Sequence, residues 1–389
     1  MDVLLNEEQR MLQTSARDFL ETECPPSLVR DMEEDGNGYP PDLWRKIVDL
    51  GWVGMALPED CGGQGLPLTY QAIILEEVGR ALAPLPLHST VVPALAIAMD
   101  GTSEQRAAWL PSVAGGDVIL TWAANELDPR LSPETIHCEA VADGDDFVIN
   151  GLKQFVDNFN VADRCLVVCR TSEASAGNEG LSIFLIDTDS PGISETPLVT
   201  IAKDKQSHVQ FENVRVPKGN MLGALNGGWP IAERMLDRAT VLLCAQMVGA
   251  ARKDSDMAIE YSKGRVAFGR PIASFQSIQH LCADMTMWVD GCQLLTYEAL
   301  WRLDEGAPAS VEVSQAKAFC NEKCEATVRS CQQIHGGIGF MMEFDVHLFF
   351  RRVSAWSMRL GTTYEHRSRI ANALLDQPGK VRLGVSVSS

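Results

Sequence analysis

The apolar positions of this chain change their period twice. From Leu4 to about Ala108 they recur every three or four residues, as in Glu7 to Glu21 and Leu43 to Leu50, which predicts amphipathic helices. Pro25, Pro26, Pro40 and Pro41 punctuate these helices. The stretch Pro58-Glu59-Asp60-Cys61-Gly62-Gly63-Gln64-Gly65 predicts a turn before another helix from Leu68 to Ala81. Between about Val118 and Val216 the text becomes short β-branched and apolar runs, CEAVADGDDFVINGLKQFV, CLVVC, LSIFLID and HVQFENVRV, which predict strands. Asp143-Gly144 and Asn150-Gly151 lie between runs as hairpin signals, and Asn178-Glu179-Gly180 marks another turn. After Asn226-Gly227-Gly228 the helical period returns and lasts to about Leu375. Its long segments run from Gly228 to Lys263, Ser277 to Asp304 and Ser310 to Ile334, and only the tail after Pro378 reads as loose. The predicted class is α+β in three parts, over residues 1–117, 118–227 and 228–380. Met247, Val248, Leu281, Met285 and Met287 fall on apolar helix faces and are expected in the interior or at an interface.

Composition narrows the function classes. With 389 residues, 46% of them hydrophobic, the chain can bury a large core. A formal charge of −19 repels phosphate backbones, so general nucleic-acid or anionic-membrane binding is not expected, and a phosphate-bearing substrate needs a local basic pocket. The opening MDVLLNEEQRMLQTSARDFL has no basic stretch ahead of an apolar run, and no apolar run is long enough to span a bilayer, which leads to the expectation of a cytoplasmic enzyme. The eleven cysteines form no CxxC pair, although Cys165 and Cys169, and Cys320 and Cys324, are four apart. His335 has no companion at ligand spacing. Reduced, buried thiols are expected, and no metal.

Three segments carry a more specific signal. They are ALPEDCGGQG from Ala56 to Gly65, KGRVAFGRPIASFQSIQH around Arg265, and CQQIHGGIGF around Gly336 and Gly337. In order and separation they resemble the acyl-CoA dehydrogenase family: its proline, glutamate and paired-glycine turn, its Arg-x-x-Phe-Gly segment followed by a glutamine, and its Gln-x-x-Gly-Gly element. The resemblance spans nearly the whole chain. It implies an N-terminal helical domain, a central β-barrel domain and a C-terminal four-helix bundle, with FAD as cofactor and an acyl-CoA thioester as substrate. It further implies an oligomer, a hetero- or homotetramer with a dehydrogenase-like subunit, and an electron-transfer acceptor. The cofactor-binding residues it implies are Arg265, Phe268, Gln276, Gln333, Gly336, Gly337 and Thr362. Their chemistry suits the role. An arginine fork matches pyrophosphate oxygens, Phe268 can pack on the adenosine, Gln276 can hydrogen-bond it, and the glycines let backbone approach closely. His335 reads as a packing residue within its motif.

In family enzymes a glutamate removes the α-proton while the β-hydride passes to the flavin. At the commonest position of that glutamate this chain reads Met358-Arg359-Leu360-Gly361-Thr362-Thr363, with Leu360 in its place; at a second it reads Met235-Leu236-Asp237-Arg238-Ala239-Thr240, with Ala239. Neither residue accepts a proton. Asp237 and Glu365 are nearby carboxylates, read as surface or capping groups, so the base stays unidentified. The family's Trp-(Ile/Phe)-(Thr/Ser) element at the flavin ring corresponds here to Phe155-Val156-Asp157, which adds a negative charge where a reduced, anionic flavin needs stabilising. The Thr-Glu-Pro-Gly-x-Gly-Ser-Asp loop has become Asn125-Glu126-Leu127-Asp128-Pro129-Arg130-Leu131-Ser132, and Trp122 serves equally as a ring-stacking residue or a core filler.

In the family's oligomers the Arg-x-x-Phe-Gly and Gln-x-x-Gly-Gly elements reach the FAD held by the neighbouring subunit, whereas the β-module loops hold a subunit's own flavin ring. This chain keeps the lent half and loses the owned half. The leading expectation is therefore a base-deficient partner subunit of a heteromeric acyl-CoA dehydrogenase. The alternatives are a self-sufficient homo-oligomeric flavoprotein with a relocated base or different flavin chemistry, and a paralogue without enzymatic activity.

Overall fold

The computed structural model describes residues 4–172 and 179–375. Six helices come first: α1 (Glu7–Glu23), α2 (Pro26–Glu34), α3 (Pro41–Asp49), α4 (Leu68–Ala81), α5 (Leu87–Asp100) and α6 (Ser103–Ala114). Their starts follow from local chemistry. Asn6 with Gln9, and Thr102 with Gln105, close reciprocal capping boxes on α1 and α6, while Pro26 and Pro41 occupy first-turn positions where a missing N–H costs nothing. The Gly62-Gly63 stretch forms the expected turn, its backbone folded back on Gly54, Leu57 and Pro58.

The β module holds β1 (Leu120–Ala123), β2 (Glu139–Asp143), β3 (Asp146–Asp157), β4 (Arg164–Arg170), β5 (Leu181–Asp187), β6 (Ile193–Pro197), β7 (Gln206–Pro217) and β8 (Met221–Leu222). They form one sheet in the order β6-β7-β3-β2-β4-β5-β8, with β1 pairing parallel to β4. Alternation along β4 and β5 separates two cores. Cys165, Val167, Cys169, Phe184 and Ile186 face a core enclosed by the sheet itself, with Phe147, Val209 and Phe211; Leu166, Val168, Ile183 and Leu185 face the helices.

Asp143 and Asp146 close the β2–β3 hairpin around Gly144, as the sequence predicts. Asn150-Gly151 does not make a turn. It lies inside β3 at a bulge against β7, because a Cβ on Gly151 would stand 2.7 Å from the Cα of Cys138, and the Asn150 side chain accepts a hydrogen bond from the Asn213 amide at 2.8 Å. Asn178 of the third turn signal and the tail after Pro378 lie outside the described residues.

The C-terminal part is α7 (Trp229–Gly264), a small hairpin β9 (Val266–Ala267) and β10 (Arg270–Pro271), α8 (Gln276–Asp304), α9 (Ser310–His335), α10 (Val346–Met358) and α11 (Thr363–Leu375). α7 packs on α4 as well as on α8, α9 and α10, which joins the N-terminal helices to the bundle in one core. The crossing of α4 and α7 is close enough to require glycine on both helices: a Cβ on Gly79 would meet the Gln246 carbonyl oxygen at 2.1 Å, and one on Gly249 the Glu76 oxygen at 1.8 Å. Met247, Val248 and Met285 are fully buried and Leu281 packs on a satellite core, while Met287 faces outward. Among the described residues, no helix is long and apolar enough to cross a membrane.

Candidate functional site

Two places gather the sequence-predicted residues. The first is a cavity of about 80 Å³ between the β module and the helices, lined among others by His88, Asp157, Lys203, Asp204, Arg352 and Arg359. β3 delivers Asp157 there through an irregularity. The register against β7 shifts between Lys153 and Val156, Phe155 takes φ +54, Val156 turns into the sheet core, and Asp157 follows at the strand end. Phe155 is left half-exposed, its ring tilted against His208 at 5.9 Å.

Arg359 enters the same cavity from the end of α10. Its guanidinium forms an ion pair with Asp157 and a second with Asp204 at 3.3 Å. Burial lowers the Arg359 pKa to about 10, which leaves it charged at neutral pH. Each acidic group of the cavity is thus committed to a cation, since Glu33 holds Arg351 through both oxygens at 2.7 and 2.9 Å. His88 stands beneath, edge-on to Trp122 at 5.6 Å, and its Nε2 donates to the Ala239 carbonyl at 2.9 Å. That carbonyl can only accept, so Nε2 carries the proton, and burial holds the ring neutral with a pKa near 4.

Leu360 follows Arg359 with φ +57 and packs on the main core. A buried network fixes this loop. His366 Nε2 donates to the Leu360 carbonyl at 2.8 Å, Asn321 Nδ2 to the Gly361 carbonyl at 3.2 Å, and Lys317 Nζ to the Trp356 carbonyl and to Asn321 Oδ1, each at 2.7 Å. Thr362 caps α11. Its amide and hydroxyl donate to Glu365 at 2.7 and 2.8 Å, which makes Glu365 the capping group the sequence predicts. Asp237 accepts from the Ser310 hydroxyl at 2.6 Å, and burial raises its pKa. Neither Asp237 nor Glu365 lines the cavity, and Leu360 and Ala239, which the resemblance sets in the places of a glutamate, have no acid group.

The second place is the far end of the bundle. Ala258 and Tyr261 of α7, Ile278 and Met285 of α8, and Cys331 and Ile334 of α9 share a satellite core that brings the β9–β10 hairpin beside the end of α9. His335 packs there as expected, stacked on Tyr261 at 4.3 Å with Nδ1 against the Cys331 carbonyl at 2.7 Å. The functional side chains point outward. Arg265 is exposed and, among the described residues, its guanidinium makes no hydrogen bond or ion pair; Phe268 is 94% exposed at φ +54, and Gln276 opens α8 on the surface. Gln333 and Gly336 line a cleft of about 460 Å³ with Arg329, Gln332, Phe340 and Phe350, and nothing stands within 4 Å of a Cβ built on Gly336 or Gly337.

The two places differ in what they can hold. Ligand pockets commonly span about 300–1,000 Å³. The outer cleft offers that room, with the Gln332 and Gln333 amides, backbone accessible at glycine, aromatic faces and Arg329, which also pairs with Glu325, a donor set that fits the adenosine diphosphate arm of FAD. The inner cavity offers about 80 Å³, crossed by an ion pair, and does not fit a tricyclic flavin ring. Sequence reasoning placed Asp157 and Leu360 at the ring side but missed Arg359, Asp204 and His88, whose convergence is created only by folding.

The family models for the acyl-CoA dehydrogenase N-terminal, middle and C-terminal domains match residues 6–117, 128–214 and 226–375. The chain is 31% identical over 379 residues to the mitochondrial short-chain specific acyl-CoA dehydrogenase of Homo sapiens, covering 96% of this chain and 91% of that one. Its fold is similar to butyryl-CoA dehydrogenase from Megasphaera elsdenii (TM-score 0.89, 28% identity, 96% of this chain and 100% of that one). It is equally similar to a chain of the ChsE4-ChsE5 complex from Mycobacterium tuberculosis (TM-score 0.89, 27% identity, 97% and 100%).

Proposed function

The chain belongs to the acyl-CoA dehydrogenase family, a family of FAD-linked oxidoreductases acting on acyl-CoA, and from that premise we propose that it is the lending subunit of a two-chain enzyme. In this reading it contributes Arg265, Phe268, Gln276, Gln333, Gly336 and Gly337 to the adenosine arm of an FAD. The isoalloxazine pocket and the catalytic glutamate of that site belong to a second dehydrogenase-like chain. Bound there, FAD supplies hydride acceptance for the α,β-desaturation of an acyl-CoA thioester, and an electron-transfer acceptor reoxidises it. We place the assembly in the cytoplasm as a heterotetramer.

The observation that carries the reading is the inner cavity. At about 80 Å³, spanned by the Arg359–Asp157 ion pair and with every carboxylate tied to a cation, it has neither the room for a flavin ring nor an uncommitted carboxylate. The outward Arg265, without a side-chain hydrogen bond or ion pair among the described residues, and the exposed Phe268 are available to supply the complementary half to a neighbour's ligand. The fold's likeness to a chain of a two-component complex agrees with this. Thr362 stays a lesser candidate, because its hydroxyl is occupied by Glu365.

The test is the flavin-to-protein ratio by visible absorbance. The chain purified alone is expected to carry almost none, and co-expression with a glutamate-bearing dehydrogenase-like partner is expected to restore about one flavin for each pair of chains. A full flavin on the isolated chain refutes the lending role and favours a self-sufficient enzyme.

A further inference from the structure

Three helices of the bundle bring sulfur together in its interior. The Sγ atoms of Cys292 on α8 and of Cys320 and Cys324 on α9 all lie within 4.8 Å of one another, and those of Cys292 and Cys324 are 3.7 Å apart. Cys320 and Cys324 are one turn apart and share a helix face. Cys244 of α7 is a further thiol near Cys320, and all four side chains are fully buried.

Buried cysteines often do no more than fill space, but a second observation separates this cluster. The described chain buries two lysines completely, Lys153 and Lys317. Lys153 is paired with Glu126 at 2.7 Å, beside the Cys138 and Cys169 sulfurs, which stand 4.0 Å apart. Lys317 has no carboxylate partner among the described residues. Its ammonium bonds Asn321 and a backbone carbonyl and approaches Met247 Sδ at 3.8 Å. The groups able to carry negative charge nearest to it are the thiols of Cys244, Cys320 and Cys324. A buried ammonium without a counter-charge is costly, so the local charge balance calls for an anion at the sulfur cluster.

We propose that Cys292, Cys320 and Cys324 bind a thiophilic divalent cation of the zinc type as three thiolates, with Lys317 balancing the charge of the complex. Three thiolates and a divalent ion carry one negative charge, which the ammonium neutralises. Zinc–sulfur bonds of about 2.3 Å hold tetrahedral ligands about 3.8 Å apart, close to the 3.7 Å between Cys292 and Cys324. A donor set of sulfur does not suit magnesium or calcium, which require oxygen ligands. Binding replaces three S–H bonds by three metal–sulfur bonds and releases three protons, with no redox step. The site is enclosed, so the ion enters as the bundle folds and stabilises it. No linear motif announces the site, because its donors come from two separate helices.

The experiment uses the full chain, expressed with zinc in the medium, purified without chelator and assayed by elemental mass spectrometry. About one zinc per chain is expected, and refolding with cobalt should give thiolate-to-cobalt charge-transfer absorption. Cys292→Ser/Cys324→Ser should lose both signals, and Cys138→Ala, in the sheet core, should keep both. Zinc-free wild-type protein overturns the proposal, as does metal retained in the double variant; the wild-type count decides even where a variant fails to fold.

Discussion

Arg359 determines what its cavity can admit. Its partners Asp157 and Asp204 are mostly buried, so removing the guanidinium leaves two carboxylates without a counter-charge. Breaking a fully buried ion pair costs about 3–5 kcal/mol. The partial exposure of Arg359 reduces this, and Arg359→Ala is expected to lose on the order of 2–4 kcal/mol in urea unfolding at pH 7. A volume-conserving Arg359→Met with Asp157→Asn should recover part of the loss, because two of the three charges leave together. An unchanged midpoint in Arg359→Ala would mean that the ion pair does not brace the cavity. Of this arrangement the sequence exposes the individual residues: Asp157 in a segment that resembles a ring-binding element, Leu360 where the resemblance expects a base. The pairing itself was illegible, since Arg359 and Asp157 meet only when the end of α10 docks on the end of β3. Glu365 was legible as a cap because Thr362-x-x-Glu365 is a purely local pattern.

Helices and strands were the easiest features to read, because α7, α8 and α9 keep an apolar period over their whole length and the strands alternate. Asn150-Gly151 misled for a physical reason: the pair has the composition of a tight turn, but glycine there answers the approach of Cys138 inside a strand. What ties the elements together was harder to see. Glu76, on α4, lies under the Tyr297 hydroxyl of α8 at 2.9 Å and also accepts from Gln293 of α8 and Gln13 of α1. Burial raises its pKa from 4.5 to about 7. Between those values the folded state holds a proton that the unfolded state has released. This stabilisation is complete below about pH 4.5, is lost as pH rises toward 7, and spans about 3 kcal/mol at 1.4 kcal/mol per pKa unit. Glu76→Gln keeps the acceptor oxygen and removes the titration. The stability of wild type relative to this variant should therefore fall across pH 4.5–7 and level off above it, measured by urea midpoints. A parallel pair of curves would show that Glu76 is ionised in the fold throughout.

At the scale of the whole molecule, the order of helical, β and helical parts was open to view, but the sequence could not show that the inner cavity is narrow while Arg265 and Phe268 face outward. That contrast sets the strongest prediction. Arg265 is exposed and makes no side-chain hydrogen bond or ion pair among the described residues, so little of the isolated chain's stability depends on it. Arg265→Ala should leave the thermal and urea midpoints of the isolated chain within about 0.5 kcal/mol of wild type, as for most exposed positions. In the two-chain assembly the same change removes charge-assisted hydrogen bonds to a pyrophosphate, worth about 1.5–3 kcal/mol. Flavin should then dissociate roughly ten- to a hundredfold more readily on dilution, followed by the rise of free-flavin fluorescence. A loss of folding stability in the isolated chain would make Arg265 a structural residue. Undiminished flavin retention in the assembly would place the hairpin away from the cofactor and remove the basis for a lent half-site. The combination of a silent monomer and a leaking complex is what a residue built for its neighbour's ligand must give, because its free energy is realised only across the subunit boundary.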